Sequence, residues 1–460
     1  MKSVVENIIA KLVSALYSIS LLFYTMYFFD ADTYKRFNLF YVSALIISSF
    51  LFNPLIVLKS RYYFDSQFKE EVYLYNLKLK NRITKVLLYL ALFICIFLVV
   101  FGSKDYMFIL ILFAWILVNN IVNEFNQNCI LVKDFNRLVV RHVIRVLLLL
   151  SVLSIFIFFN FHDYVVLSIL VICLNLIFFN KFRITGPINL NKNAIRNFDR
   201  FLFPVYVTMG LNLLSDYFDR YIIASHLNAD TYMKFYKFYD LQVLIVGSAL
   251  GVLYSLFFSD LQRAYTSNRE SIDYKSRVTD YLQVLILTSL ILMFNFYFLH
   301  HEEWTRVLFS VDEVHLISGL FLVLWTFKLL FFDTLLLFED KSKFIMVVLL
   351  SIIIFNLIGL LLWIENLVIL DIFLVKFLGI IVGLLLTLFG LEHEFLVKVD
   401  LSFLIWCASI ALLLEFDYFG WIPNNELVLF GDYSLFILVN IVFIFKFRKY
   451  FNLWSHARIN

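Results

Sequence analysis

Ala31-Asp32-Thr33-Tyr34-Lys35-Arg36-Phe37-Asn38-Leu39-Phe40-Tyr41 returns further along the chain as Ala229-Asp230-Thr231-Tyr232-Met233-Lys234-Phe235-Tyr236-Lys237-Phe238-Tyr239. Each copy lies between two long apolar stretches. The second copy repeats an acidic residue and a basic residue at matching places in a chain that otherwise avoids charge, so uniform composition does not explain it. Weak internal symmetry of this kind is a known property of chains that move solutes across membranes.

The solvent of this chain is lipid. With 62% hydrophobic residues, only 16% charged residues and four prolines in 460 positions, no water-soluble fold could bury its apolar surface. A spanning helix needs roughly 20 apolar residues, and about fourteen such stretches follow one another. They are centred near Ser18, Ile47, Phe93, Phe113, Ser151, Val171, Thr208, Val246, Thr288, Leu324, Leu350, Leu378, Ala408 and Val439. Strict in-out alternation is absent, which argues against a transmembrane barrel. The expected fold is all-α and polytopic.

Basic residues set the orientation, because short loops rich in Lys and Arg stay in the cytoplasm. Counting loops from the first, the even ones carry Lys59 to Arg82, Lys133 to Arg141, Lys181 to Arg200, Arg263 to Arg277, Lys341 with Lys343, and Lys398. The odd ones hold only Lys35, Arg36, Lys104 and Arg306. Both termini are therefore expected in the cytoplasm. The net charge of +3 reflects this loop bias and does not imply nucleic-acid binding. The first apolar segment reads as a retained helix, since it lacks a small-residue cleavage site. Four scattered cysteines make neither a disulfide framework nor a metal spacing.

An even number of spans separates the two copies, so both face the same way across the bilayer. The expected organisation is two parallel six-helix lobes, 1–190 and 191–398, related by an axis along the membrane normal, with two peripheral helices and a tail in 399–460.

From Arg200-Phe201-Leu202-Phe203-Pro204 through Ser215-Asp216-Tyr217-Phe218-Asp219-Arg220 to Ala229-Asp230-Thr231-Tyr232, the chain resembles the start of the C-terminal lobe in polysaccharide flippases. There a proline opens the seventh helix, an Asp-Arg pair closes it, and a short acidic loop leads into the eighth. Asp32-Thr33-Tyr34 is similar to the corresponding loop of the first lobe. This is the oligosaccharide flippase branch of the multidrug/oligosaccharidyl-lipid/polysaccharide exporter superfamily, which includes the Wzx-type O-antigen flippases. One departure is Lys35 and Lys234 near the place where those proteins usually have glycine.

The resemblance implies a bacterial inner-membrane protein that moves an undecaprenyl-diphosphate-linked oligosaccharide, such as an O-antigen unit of lipopolysaccharide biosynthesis, to the periplasmic leaflet. It implies no cofactor, and as partners the lipid-linked substrate, membrane lipid, a polysaccharide polymerase and a chain-length regulator. Ionisable residues inside spans are the site candidates, because burying them in hydrocarbon is costly. For the diphosphate these are Lys11, Arg220, Lys234, Lys237, Lys328 and Lys376; for a coupling proton or cation they are Asp216, Asp240 and Asp333. Snorkelling of Lys11 and Lys234 to the interface, or pairing of Arg220 with Asp216 at i−4, is the structural alternative. Lys328 and Asp333 stand five apart, so on an α-helix they point in different directions and are expected to meet other helices.

Other classes fare less well. Asp30-Ala31-Asp32 fits an acidic motif of membrane glycosyltransferases, but no long external loop accompanies it, and a polysaccharide polymerase would also need one. His300-His301-Glu302-Glu303 puts neighbouring side chains on different faces, which is poor geometry for a metal. No Gly-x-x-x-x-Gly-Lys-Ser/Thr loop is present, so the chain carries no ATPase of its own. A multidrug exporter of the same superfamily is the nearest transporter alternative, and no enzymatic activity is expected.

Overall fold

The computed structural model describes residues 2–63, 68–100, 106–132, 134–160, 163–179, 192–267, 272–301, 313–338, 341–362 and 368–390. They form α1 (Lys2–Phe28), α2 (Ala31–Tyr62), α3 (Lys69–Val100), α4 (Tyr106–Val132), α5 (Phe135–Phe158), α6 (Tyr164–Phe179), α7 (Lys192–His226), α8 (Ala229–Ser267), α9 (Ile272–His301) and α10 (Glu313–Phe327). A π-helical turn, Lys328–Asp333, leads into α11 (Thr334–Phe338), and α12 (Ser342–Leu362) and α13 (Ile369–Gly390) follow. Strands are absent among the described residues, and the protein is a multi-pass, all-helical membrane protein. The first twelve expected span centres all fall on these helices. Ten helices among the described residues are long and apolar enough to cross a membrane. The expected spans near Ala408 and Val439, with all of 399–460, lie outside the described residues.

The repeat has a local structural meaning. Each copy begins a helix, and the residue before it caps that helix. Asp30 Oδ1 accepts from the Thr33 amide at 2.8 Å, and Asn228 Oδ1 accepts from the Thr231 amide at 2.9 Å. Both satisfy an amide that a helix start leaves unpaired. One turn on, Tyr34 and Tyr232 are buried. Beyond them Phe37 stacks on Tyr41 at 6.2 Å between ring centroids, and Phe235 stacks on Tyr239 at 5.5 Å. The acidic loop that invited comparison with a glycosyltransferase motif is thus a helix cap.

The helices gather into two compact units. One comprises Lys2–Met233 with Ile345–Leu350, and the other comprises Lys234–Phe344 with the described residues from Ser351 onward. By contact the division therefore falls at Met233/Lys234, later than the boundary expected after residue 190. The reason is α7, which runs antiparallel along α2. Lys35 Nζ donates to the Leu227 carbonyl at 3.0 Å, Ser43 Oγ meets Tyr221 OH at 2.8 Å, and Tyr206 OH donates to the Leu51 carbonyl at 3.1 Å. Interhelical hydrogen bonds of this kind hold spans together where the hydrophobic effect cannot. Pro204 lies well inside α7, not at its start as the resemblance implied. A proline there leaves a backbone carbonyl without its helical donor.

In the first unit α1 packs on α5, and α2 lies against both α4 and α7. Trp115 of α4 is edge-on to Phe37, Phe40 and Tyr41 of α2 at 6.5, 6.0 and 5.6 Å. In the second unit α10 packs against α9 and α13. There α12 and α13 approach so closely that a Cβ on Gly359 would lie 2.7 Å from Val375, and one on Gly379 would lie 2.2 Å from Asn356 Oδ1. Small residues permit such contacts between spans.

Candidate functional site

Each unit carries buried cations on its own helices. In the first, Arg220 near the end of α7 is 4% exposed, and its Nη1 donates to Asn38 Oδ1 of α2 at 3.0 Å. Tyr232 OH donates to the same oxygen at 2.8 Å. One carboxamide oxygen therefore uses both lone pairs to hold an arginine and a tyrosine. Lys35 stands beside this node, 5.7 Å from the centre of the Tyr232 ring. Its ammonium caps a terminal carbonyl of α7, where the helix dipole favours positive charge. The charge expected to face a cavity at Lys35 is committed to the fold instead.

Away from this node α7 turns a polar row inward. Thr208, Asn212, Ser215 and Asp219 recur every three or four residues and are all buried. Thr208 Oγ1, Asn212 Oδ1 and Ser215 Oγ have no hydrogen-bond partner within the protein. Buried oxygens left so are each costly, by about 1–3 kcal/mol.

Lys11 lies on α1, partly buried, and a further positive group faces it from α5. His142 is buried, meets Asn126 Oδ1 at 3.1 Å through Nε2, and lies in the field of both Arg145 and Lys11. The Arg145 guanidinium sits 3.6 Å from the Tyr17 ring centre, and Asn175 Nδ2 donates to Tyr17 OH at 3.2 Å. Lys11, His142 and Arg145 thus form one cationic group. Sequence reasoning misses His142 and Arg145. The signal that could find them is the place of Arg145 at the edge of the fifth apolar run, one turn beyond the basic loop.

In the second unit Lys328 is fully buried, and its Nζ donates to Asp333 Oδ1 at 2.8 Å and Oδ2 at 2.9 Å. The expectation that these two side chains diverge toward other helices is overturned. The π-helical turn spanning them winds more residues per turn than an α-helix and brings i and i+5 onto one side. Tyr281 OH donates to the Leu330 carbonyl at 3.1 Å within this turn, where regular bonding is disturbed. Lys376 is 4% exposed and lies over the rings of Phe321 and Phe373, 4.6 and 5.5 Å from their centres. Such placement offsets part of the cost of burying an ammonium.

Other expected site residues are less enclosed. Lys234 is exposed, while Lys237, Asp240 and Asp216 are partly buried. The nearby polar network is built from different residues. Ser318 Oγ donates to Gln242 Oε1 at 2.9 Å, Gln242 Nε2 donates to the His315 carbonyl at 2.7 Å, and His315 Nε2 meets the Phe235 carbonyl at 3.2 Å. No group of three or more metal-ligating side chains occurs among the described residues. Glu302 and Glu303 of the His-Glu run lie outside them.

This arrangement of helices is the fold of the multidrug/oligosaccharidyl-lipid/polysaccharide (MOP) superfamily transporters. A MOP superfamily transporter from Pyrococcus furiosus, described as having a binding pocket of reversed polarity, superposes with a TM-score of 0.59 at 10% identity, covering 84% of this chain and 93% of that one. A point mutant of the Vibrio cholerae MATE transporter VcmN gives 0.58 at 14% identity over 86% and 97%. The lipid II flippase MurJ, in an inward closed conformation, gives 0.53 at 14% identity over 96% and 97%. No family profile matches the chain. No curated protein matches it either.

Proposed function

We propose that the protein is a flippase for a lipid-linked oligosaccharide, moving an undecaprenyl-diphosphate-linked repeat unit from the cytoplasmic to the periplasmic leaflet of a bacterial inner membrane. The observation that carries this reading is the set of cations buried within the helices. Arg220, Lys328 and Lys376 are each 4% exposed or less, in a protein whose surroundings penalise charge. A diphosphate cannot cross hydrocarbon unaided, and cationic walls in a wet passage lower that barrier. The polyprenyl tail can stay in lipid throughout.

Two further features support it. The unpartnered Thr208, Asn212 and Ser215 oxygens suit the hydroxyl groups of a sugar. The fold is shared, along nearly the whole of both chains, with a flippase whose cargo is lipid II. In this reading Lys11, Arg220, Lys234, Lys237, Lys328 and Lys376 contact the phosphates in turn. Asp216, Asp240 and Asp333 are the places for a coupling proton or cation, and two lobes rock about an axis along the membrane normal. Both termini lie in the cytoplasm, and a polymerase and chain-length regulator take the product.

Multidrug export is the second reading, favoured by the likeness to MATE transporters. Deleting the gene in its host decides between them. Loss of surface polysaccharide, with lipid-linked repeat units trapped in the cytoplasmic leaflet, is the expected outcome. Normal polysaccharide with new drug sensitivity would establish the exporter.

A further inference from the structure

The first unit contains a pocket that none of the groups above occupies. It lies among α2, α3 and α4 and spans roughly 450 Å³, a size suited to a small ligand. Its polar lining is Lys59 of α2, Tyr73, Asn76 and Lys80 of α3, and Asn120 and Glu124 of α4. On α3 these positions recur every three or four residues and so share one face. Lys59 stands in the last turn of α2 and Lys80 in the first half of α3, so the pocket sits toward one end of the spans.

The charges do not cancel. Lys80 pairs with Glu124, which neutralises one ammonium. Lys59 donates to the neutral Asn128 Oδ1 at 2.6 Å and lies 5.4 Å from the centre of the Tyr73 ring. Two lysines against one carboxylate leave the lining with one positive charge in excess. Asn76 adds a second requirement. Its Nδ2 donates to the Leu55 carbonyl at 2.9 Å, while its Oδ1 is buried and accepts nothing within the protein. A ligand that fills this pocket must therefore bring one negative group for Lys59 and one hydrogen-bond donor for Asn76.

We propose that this pocket binds a hydroxyl-bearing phosphate ester, the chemistry shared by a phosphatidylglycerol headgroup and a soluble polyol phosphate. A phosphate oxygen accepts from Lys59, and a hydroxyl donates to Asn76 Oδ1. The Lys80–Glu124 pair closes the far wall. Basic pockets between spans near the interface take anionic headgroups in this manner. The site is independent of flipping, since it lies inside one unit and uses none of the cations assigned to the transported diphosphate.

The test uses the full-length protein in phosphatidylcholine nanodiscs, with thermal unfolding as readout. A ligand that binds only the folded state raises Tm. Added phosphatidylglycerol or sn-glycerol 1-phosphate is expected to raise it. An effect of the lipid alone assigns the headgroup as the source, and an effect of the free ester assigns the soluble one. Lys59→Ala should weaken binding about tenfold, as expected for losing one charge-assisted hydrogen bond, while Lys59→Arg should retain it. Asn76→Leu keeps the charges and should erase the preference for phosphatidylglycerol over phosphatidic acid, so the test stands even if Lys59→Ala fails to insert. Equal stabilisation of the wild type by phosphatidic acid, or no stabilisation by any of these anions, overturns the proposal.

Discussion

Lys328 donates both of its short hydrogen bonds to the carboxylate of Asp333, five residues further along the same π-helical turn. A buried ion pair recovers only part of what desolvation costs, but removing one partner leaves the other charge stranded. Lys328→Ala is therefore expected to destabilise the protein by about 3–5 kcal/mol and to impair transport. The double variant Lys328→Met/Asp333→Asn should recover most of the lost thermal stability. If transport stays absent in that double variant, the charges serve function beyond folding. Unchanged flipping in Lys328→Ala would remove it from the site.

Asn38 holds two buried donors on one oxygen. Asn38→Ala strands both, so a loss of about 2–4 kcal/mol is expected from two unmet groups. Asn38→Asp keeps the acceptor and adds a charge opposite Arg220, so it should preserve thermal stability while weakening binding of a lipid diphosphate. A fluorescence-detected melting curve and a substrate-binding assay on each variant separate the two effects. Equal Tm for Asn38→Ala and wild type would show that the node contributes nothing to the fold.

The two caps of the repeat should respond differently to acid. Hydrogen bonds from the Thr33 amide and hydroxyl hold the Asp30 carboxyl below the ordinary aspartate value of 3.8. Because its folded value is depressed, its contribution is present above that ordinary value and is lost as pH falls through the folded one. Asn228 does not titrate. Protection of the Thr33 amide from exchange should weaken in acid, after correction for intrinsic rates, while that of Thr231 holds. Asp30→Ala and Asn228→Ala should each cost about 1 kcal/mol near neutral pH.

Gly319 in α10 has no room for a side chain. An added Cβ would meet Gln242 Nε2 at 2.8 Å and Phe296 at 2.9 Å. Gly319→Ala is expected to cost about 1–3 kcal/mol through overpacking and to disturb the Gln242–Ser318 hydrogen bond. A drop in Tm without loss of membrane insertion would match this, and an unchanged Tm would contradict it.

Long apolar runs make the helices legible in the sequence. In lipid, a backbone must satisfy its hydrogen bonds within one helix, so hydropathy and helix location are nearly the same information. The repeat is legible too, because both copies carry the same acidic start and the same aromatic pair one turn inward. The placement of α7 with the first unit is not, since it depends on bonds such as Lys35 to Leu227 across 192 residues of sequence. Buried ionisable residues can be named from the sequence, but their partners cannot.

The order of residues alone determined that this is a helical membrane protein with a duplicated helix start, because local hydrophobicity and capping act over a few residues. Tertiary structure decided what each charge does. Lys35 caps a distant helix, Arg220 rests on Asn38, His142 and Arg145 join Lys11, and a π-turn folds Asp333 back onto Lys328. Electrostatic partnership depends on distances between helices and on the local winding of each, and neither is written in the spacing of residues along the chain.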